Sequence, residues 1–180
     1  MKSLSPPPHW PDGVLYIAES QYHSSVPADL RLELCRKGTS PSGKQSSQRL
    51  TVIRRITETS HPACGQLGLF AAKKISPHTH IVDYIGEVHC DDRPESDYDL
   101  SLYRPSSGLN VGVDARRMGN EARFINDYRG IKSKPNALFE ERRAEGGELR
   151  MSVWTSGDPL RKGEEILVSY GKGWWQARSG

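Results

Sequence analysis

A mostly β fold with short helices is the class this sequence predicts. Short β-branched runs recur between turn signals at residues 50–57, 68–72, 81–88, 110–114, 137–141, 149–155 and 166–168, the pattern of many short strands. Long helical repeats are few over the same stretch. The 180 residues are enough for one domain with a core and short for two.

Taken in order, residues 1–13 are proline-rich and read as an extended or unstructured tail carrying Trp10. Residues 14–18 suit a short strand. Residues 28–37 predict a short helix, because Pro27 precedes them and Gly38 follows as a C-cap. Leu30 and Leu34 share one face of it, and Leu32 departs from that face. Residues 38–48 are a loop or linker by composition. Gly86 lets the run at 81–88 bend. A helix at 119–124 ends at Asn126-Asp127, and Gly146-Gly147 closes a charged stretch as the turn between two strands. The division expected is a flanking segment over 1–49, partly disordered, and a main domain over 50–180.

The charge balance, 25 Lys and Arg against 22 Asp and Glu, is mixed along the chain and forms no basic stripe. That argues against direct nucleic-acid binding. Cys35, Cys64 and Cys90 are far apart, with no CxxC pair, so a reducing, intracellular setting is expected and a zinc cluster is not. No run approaches the roughly 18 apolar residues of a membrane span, and the N-terminus lacks the plan of a secretory signal. Oligomeric state has no signal in the sequence.

Four segments are not explained by a core pattern alone. Gly65-Gln66-Leu67-Gly68-Leu69-Phe70-Ala71 places glycines at a strand entry, where a missing side chain lets backbone approach a ligand. Asp83-Tyr84-Ile85-Gly86-Glu87-Val88 is a second glycine-interrupted strand. Arg123-Phe124-Ile125-Asn126-Asp127 sets polar side chains around two large apolar ones, and Pro135-Asn136-Ala137 follows it. Gly163-Glu164-Glu165-Ile166-Leu167-Val168-Ser169-Tyr170-Gly171 ends a strand-like run in a tyrosine, with Trp174 and Trp175 close behind.

In this order the segments resemble those of SET-domain protein lysine methyltransferases, over roughly residues 50–175. The resemblance implies the β-clip architecture of small sheets around a C-terminal pseudoknot, in a compact member without cysteine clusters before or after the domain. It implies S-adenosylmethionine as cofactor, contacted by Gly68, Leu69, Phe70, Arg123, Phe124, Asn126, Asp127, Tyr170 and Trp175. Asn126 is expected to meet the amino-acid end, and Trp175 to stack on adenine. Tyr170 is the expected catalytic tyrosine, with Tyr98 lining the lysine channel as a second catalytic candidate. Tyr98, Tyr103, Val168 and Trp174 are the expected substrate contacts, and a variable insert over 91–118 and an aromatic flank over 172–180 complete the plan. The chain departs from the family in two places: Gln66 stands where the first glycine of Gly-x-Gly belongs, and Asp127 where a histidine belongs. The expected function is methylation of a lysine, in the nucleus, on a histone tail. The alternatives are a non-histone substrate and a catalytically inert SET module that binds peptide or a partner. Acidic residues at the start of the insert (Asp91, Asp92, Glu95, Asp97 and Asp99) would suit a basic peptide.

Overall fold

The structure is a computed structural model and describes residues 5–36, 49–106 and 108–171. Its strands are β1 (Leu15–Tyr16), β2 (Gln21–Tyr22), β3 (Thr51–Arg55), β4 (Leu67–Ala71), β5 (His80–Tyr84), β6 (Glu87–His89), β7 (Asp99–Tyr103), β8 (Val111–Asp114), β9 (Met118–Gly119), β10 (Asn126–Asp127), β11 (Ala137–Arg143), β12 (Leu149–Thr155) and β13 (Leu167–Val168). One helix, α1 (Ala28–Leu34), and one 3-10 turn (Glu121–Phe124) complete the set among the described residues. The predicted class therefore holds: short strands in small sheets dominate. The chain divides into two compact units, the described parts of 1–48, 82–123 and 140–152, and of 49–81, 124–139 and 153–180.

In the first unit a four-stranded sheet runs β2-β6-β8-β7. β2 lies parallel to β6, while β6 and β7 flank β8 antiparallel, with Val88 and Leu100 both opposite Val113. Val88, Leu102, Val111 and Val113 are all buried along it. β1 pairs in parallel with β9. The run expected as one strand over 81–88 is cut into β5 and β6 at Ile85-Gly86. The cause is close approach: a Cβ on Gly86 would sit 2.5 Å from the Asp114 carbonyl oxygen. β7 falls inside the expected variable insert and was not foreseen as a strand, although Leu100 and Leu102 alternate with polar residues as a strand requires.

Helix α1 starts after Pro27 and buries Leu30 and Leu34, one turn apart. Leu32 is 75% exposed, which explains its break from the pattern. The helix ends at Leu34, earlier than expected, and the Arg143 guanidinium donates to the carbonyls of Glu33 and Leu34. Those terminal acceptors are thereby satisfied by a side chain rather than by a glycine turn; Gly38 lies outside the described residues. The segment from residue 5 to 13 also differs from the expected loose tail. Trp10 donates its indole N–H to the Val14 carbonyl at 2.7 Å and packs edge-on against Tyr16, with the Arg123 guanidinium over its ring.

His89, at the end of β6 and 2% exposed, faces two acceptors: the Asp91 carbonyl at Nδ1 and Asp99 Oδ1 at Nε2, each at 2.9 Å. Burial disfavours its charged form, and the nearby Arg93 opposes it too. The Asp99 hydrogen bond and charge outweigh both, so the pKa lies above the usual 6.5. A folded-state pKa above the unfolded one makes protonation stabilising. That contribution is complete below about pH 6.5 and is lost as pH rises through the raised folded value. The melting temperature of the wild type should therefore fall between about pH 6 and about pH 8 more than that of His89→Gln, which cannot titrate there. Parallel melts that superimpose would remove His89 as the cause.

The second unit is built on the antiparallel pair β3–β4, with Ile53 opposite Leu69. Two isolated bridges, Phe70 with Glu165 and Ile75 with Leu160, tie β4 and the residues after it to the C-terminal segment. β10 and β13 pair in parallel, Asn126 with Leu167 and Asp127 with Val168. Leu69, Leu160, Ile166, Leu167 and Val168 are at most 1% exposed and form its core. A three-stranded sheet has the order β11-β12-β5. Its hairpin turn is where Gly146-Gly147 placed it, closed by Ala144 N–H to the Glu148 carbonyl.

Candidate active site

The second unit gathers three of the four sequence segments. The Leu69 carbonyl accepts the Ile166 N–H, and the Ala71 N–H donates to the Glu164 carbonyl, both at 2.8 Å. On the other side of the same C-terminal run, β13 takes β10 as its parallel partner. Asn136 completes the crossing. Its backbone N–H donates to the Leu167 carbonyl, its side-chain oxygen accepts the Leu167 N–H, and its amide N–H donates to the Glu165 carbonyl. One amide side chain thus fixes two residues of the incoming segment, Glu165 and Leu167, which is why an asparagine stands after Pro135.

Tyr170 is held at both ends. Its hydroxyl donates to the Ile125 carbonyl at 2.6 Å, and its backbone N–H donates to Asp127 Oδ2 at 2.8 Å. A phenol whose proton is committed to a carbonyl offers its oxygen as an acceptor to whatever else approaches. Asp127, 8% exposed, also accepts the Arg129 N–H and pairs with the Arg129 guanidinium. The aspartate in place of the expected histidine therefore has a structural use: it anchors the Tyr170 main chain to the turn after β10. Phe124 and Ile125 are buried.

Asn126 donates from its amide nitrogen to Glu165 Oε1 at 2.9 Å. Among the described residues its side-chain oxygen accepts no hydrogen bond, so an acceptor remains at the start of the crossing. Gly68 lies beside this pair. A Cβ there would meet Glu165 Oε1 at 2.8 Å and the Phe70 ring at 3.0 Å, so glycine is required by the Glu165 carboxylate. Gly65, at φ +85°, serves the turn before β4. Gln66 uses only its backbone there, donating to the Ala63 carbonyl and accepting from Ile56 N–H, and its side chain is exposed. The position of the missing glycine thus tolerates a side chain.

Other expected residues are placed elsewhere. Arg123 belongs to the first unit, 8% exposed, and donates to the carbonyls of Ala115 and Arg116 while lying 4.2 Å over the Tyr98 ring. Its guanidinium thereby ties the 3-10 turn to the residues after β8. Tyr98 lies in the same unit, and its hydroxyl has no hydrogen-bond partner among the described residues. Tyr103 donates to Glu33 at 2.7 Å, and that bond raises its pKa. Val168 is fully buried, with its carbonyl accepting the Tyr128 N–H. Trp174 and Trp175 lie outside the described residues. The acidic run is partly neutralised: Asp91 pairs with Arg93, and Asp99 with His89. His61 and Glu165, both 9% exposed and 3.0 Å apart, were missed as site residues. The available signal was an acid in a strand-like apolar run, which needs a buried partner.

Known proteins are similar to this chain in sequence and in fold. The family model described as the SET domain matches residues 66–171. A histone-lysine N-methyltransferase, H3 lysine-4 specific, from Schizosaccharomyces pombe is 33% identical over 113 residues, 58% of this chain and 11% of that protein. The histone-lysine N-methyltransferase ASHR3 of Arabidopsis thaliana is 31% identical over 123 residues, 64% of this chain and 23% of its own. This chain thus spans under a quarter of either relative. Among solved structures, the Chaetomium thermophilum polycomb repressive complex 2 superimposes with a TM-score of 0.52 at 25% identity, covering 68% of this chain and 15% of that one. With the match running from the turn before β4 to the glycine after Tyr170, this chain belongs to the SET-domain family.

Proposed function

We propose that the chain is an S-adenosylmethionine-dependent protein-lysine N-methyltransferase acting on a histone tail lysine in the nucleus, with residues 50–180 as its catalytic domain. The observation that carries this reading is Tyr170, fixed by hydroxyl and backbone one residue on either side of Asn126. The histone substrate rests on the names of the relatives. Among the described residues no helix is long and apolar enough to cross a membrane.

The residues fit the cofactor. Asn126 keeps an acceptor for an ammonium group, and Gly68 leaves the Glu165 carboxylate room beside it. When bound, S-adenosylmethionine supplies a sulfonium methyl group to the lysine nitrogen. A lysine amine must be neutral to attack, against a free pKa of about 10.4, so a desolvating channel is needed. Tyr170 would hold the amine through its phenolic oxygen, aligning the lone pair without acting as a strong base. Tyr98 is favoured over Tyr103 as the substrate-side tyrosine, because the Tyr103 hydroxyl is already bonded to Glu33. Arg123 is reassigned as an internal tie.

The inert-module reading drew on the two departures from the family pattern. Asp127 has a structural use here and the position of Gln66 tolerates a side chain, which supports the enzymatic reading instead. Calorimetric titration with S-adenosylmethionine tests the cofactor site. Wild type should bind, and Asn126→Ala should bind about tenfold or more weakly, the loss expected for one hydrogen bond to a charged group. Failure of the wild type to bind would overturn the reading.

A further inference from the structure

We propose that His61 is a positioning residue for the cofactor's amino-acid end, acting through Glu165 on Asn126; the proposal rests on the cofactor reading above. The three side chains form one chain of hydrogen bonds with a fixed direction. The Ala63 N–H donates to His61 Nδ1 at 3.0 Å, so that nitrogen must be an acceptor. Nε2 then carries the proton and donates to Glu165 Oε2 at 3.0 Å. The other carboxylate oxygen, Oε1, accepts the Asn126 amide N–H at 2.9 Å.

The direction matters because an amide has two faces of opposite polarity. Turning the Asn126 amide over would set its oxygen against Glu165 Oε1, acceptor against acceptor. The carboxylate thus keeps the Asn126 nitrogen inward and leaves its oxygen to accept. That orientation suits a cationic donor such as an ammonium and disfavours an anion. His61 is what holds the carboxylate still. The two side chains are 6% and 9% exposed, and on the far side a Cβ at Gly68 would already lie 2.8 Å from Oε1. A buried carboxylate stripped of one donor moves or hydrates, and Asn126 loses its reference. His61 enters from the segment before Gly65, remote in sequence from both partners, and touches neither reacting group. It is a positioning residue, not a catalytic one.

The test compares two ligands on the intact chain: S-adenosylhomocysteine and its desamino analogue, identical except for the missing ammonium. His61→Ala should weaken S-adenosylhomocysteine about tenfold and leave the analogue's affinity unchanged. His61→Gln, whose amide can still donate toward Glu165, should recover most of the loss. If His61→Ala binds S-adenosylhomocysteine as well as wild type does, the proposal is wrong while the cofactor reading stands. An equal loss for both ligands would mean general damage to the fold and would also overturn the proposal. Absence of binding by wild type would overturn the proposal and the cofactor reading together.

Discussion

Replacing Tyr170 by Phe should reduce methyl transfer by about 10²-fold or more while S-adenosylmethionine affinity stays within about threefold. The ring keeps its place, because the backbone N–H of residue 170 remains tied to Asp127. What disappears is the hydroxyl that donates to the Ile125 carbonyl at 2.6 Å, the group proposed to hold the amine. The stability cost of one such bond is about 1 kcal/mol, too small to unfold a domain held by roughly 5–15 kcal/mol. Activity loss from unfolding and from chemistry can therefore be told apart by a melt of the same sample. Full activity in the folded variant would remove Tyr170 from the reaction.

The largest effect on stability should come from Gly86→Ala. The added Cβ would lie 2.5 Å from the Asp114 carbonyl oxygen and 2.7 Å from its carbon. Both are backbone atoms of β8, so no side chain can turn aside and the strand itself must shift. Forcing a methyl into such a contact costs about 3 kcal/mol or more, a fall of about 6–12 °C in melting temperature for a chain of this size. Gly146→Ala is the matched control. Nothing lies within 4 Å of its Cβ position and its φ is not positive, so its melting temperature should hold within about 2 °C. Equal melting for the two variants would show that the close approach at Gly86 is not real.

How much of this was legible beforehand follows from range. The class, the α1 face of Leu30 and Leu34, and the Gly146-Gly147 turn are local patterns, and the sequence displays them directly. The crossing was legible only through resemblance, since the parallel pairing of β10 with β13 joins residues some forty positions apart. Interactions of that kind leave no periodicity. His61 and Glu165 are separated by 104 positions, and neither is unusual in its own neighbourhood. β7 was hidden by acids that look solvated until His89 is seen beside Asp99. Arg123 was read by its motif position, which gives no signal that its side chain donates to the carbonyls of Ala115 and Arg116. Motif position fixed its backbone but not the direction of a long, flexible side chain.

Incubation of the chain with core histones and S-adenosylmethionine carrying a radioactive methyl group, followed by mass spectrometry of the labelled band, tests the central claim most directly. The account predicts label on a histone lysine, and its disappearance with Tyr170→Phe. Wild-type protein that binds the cofactor yet leaves every histone lysine unlabelled would contradict it.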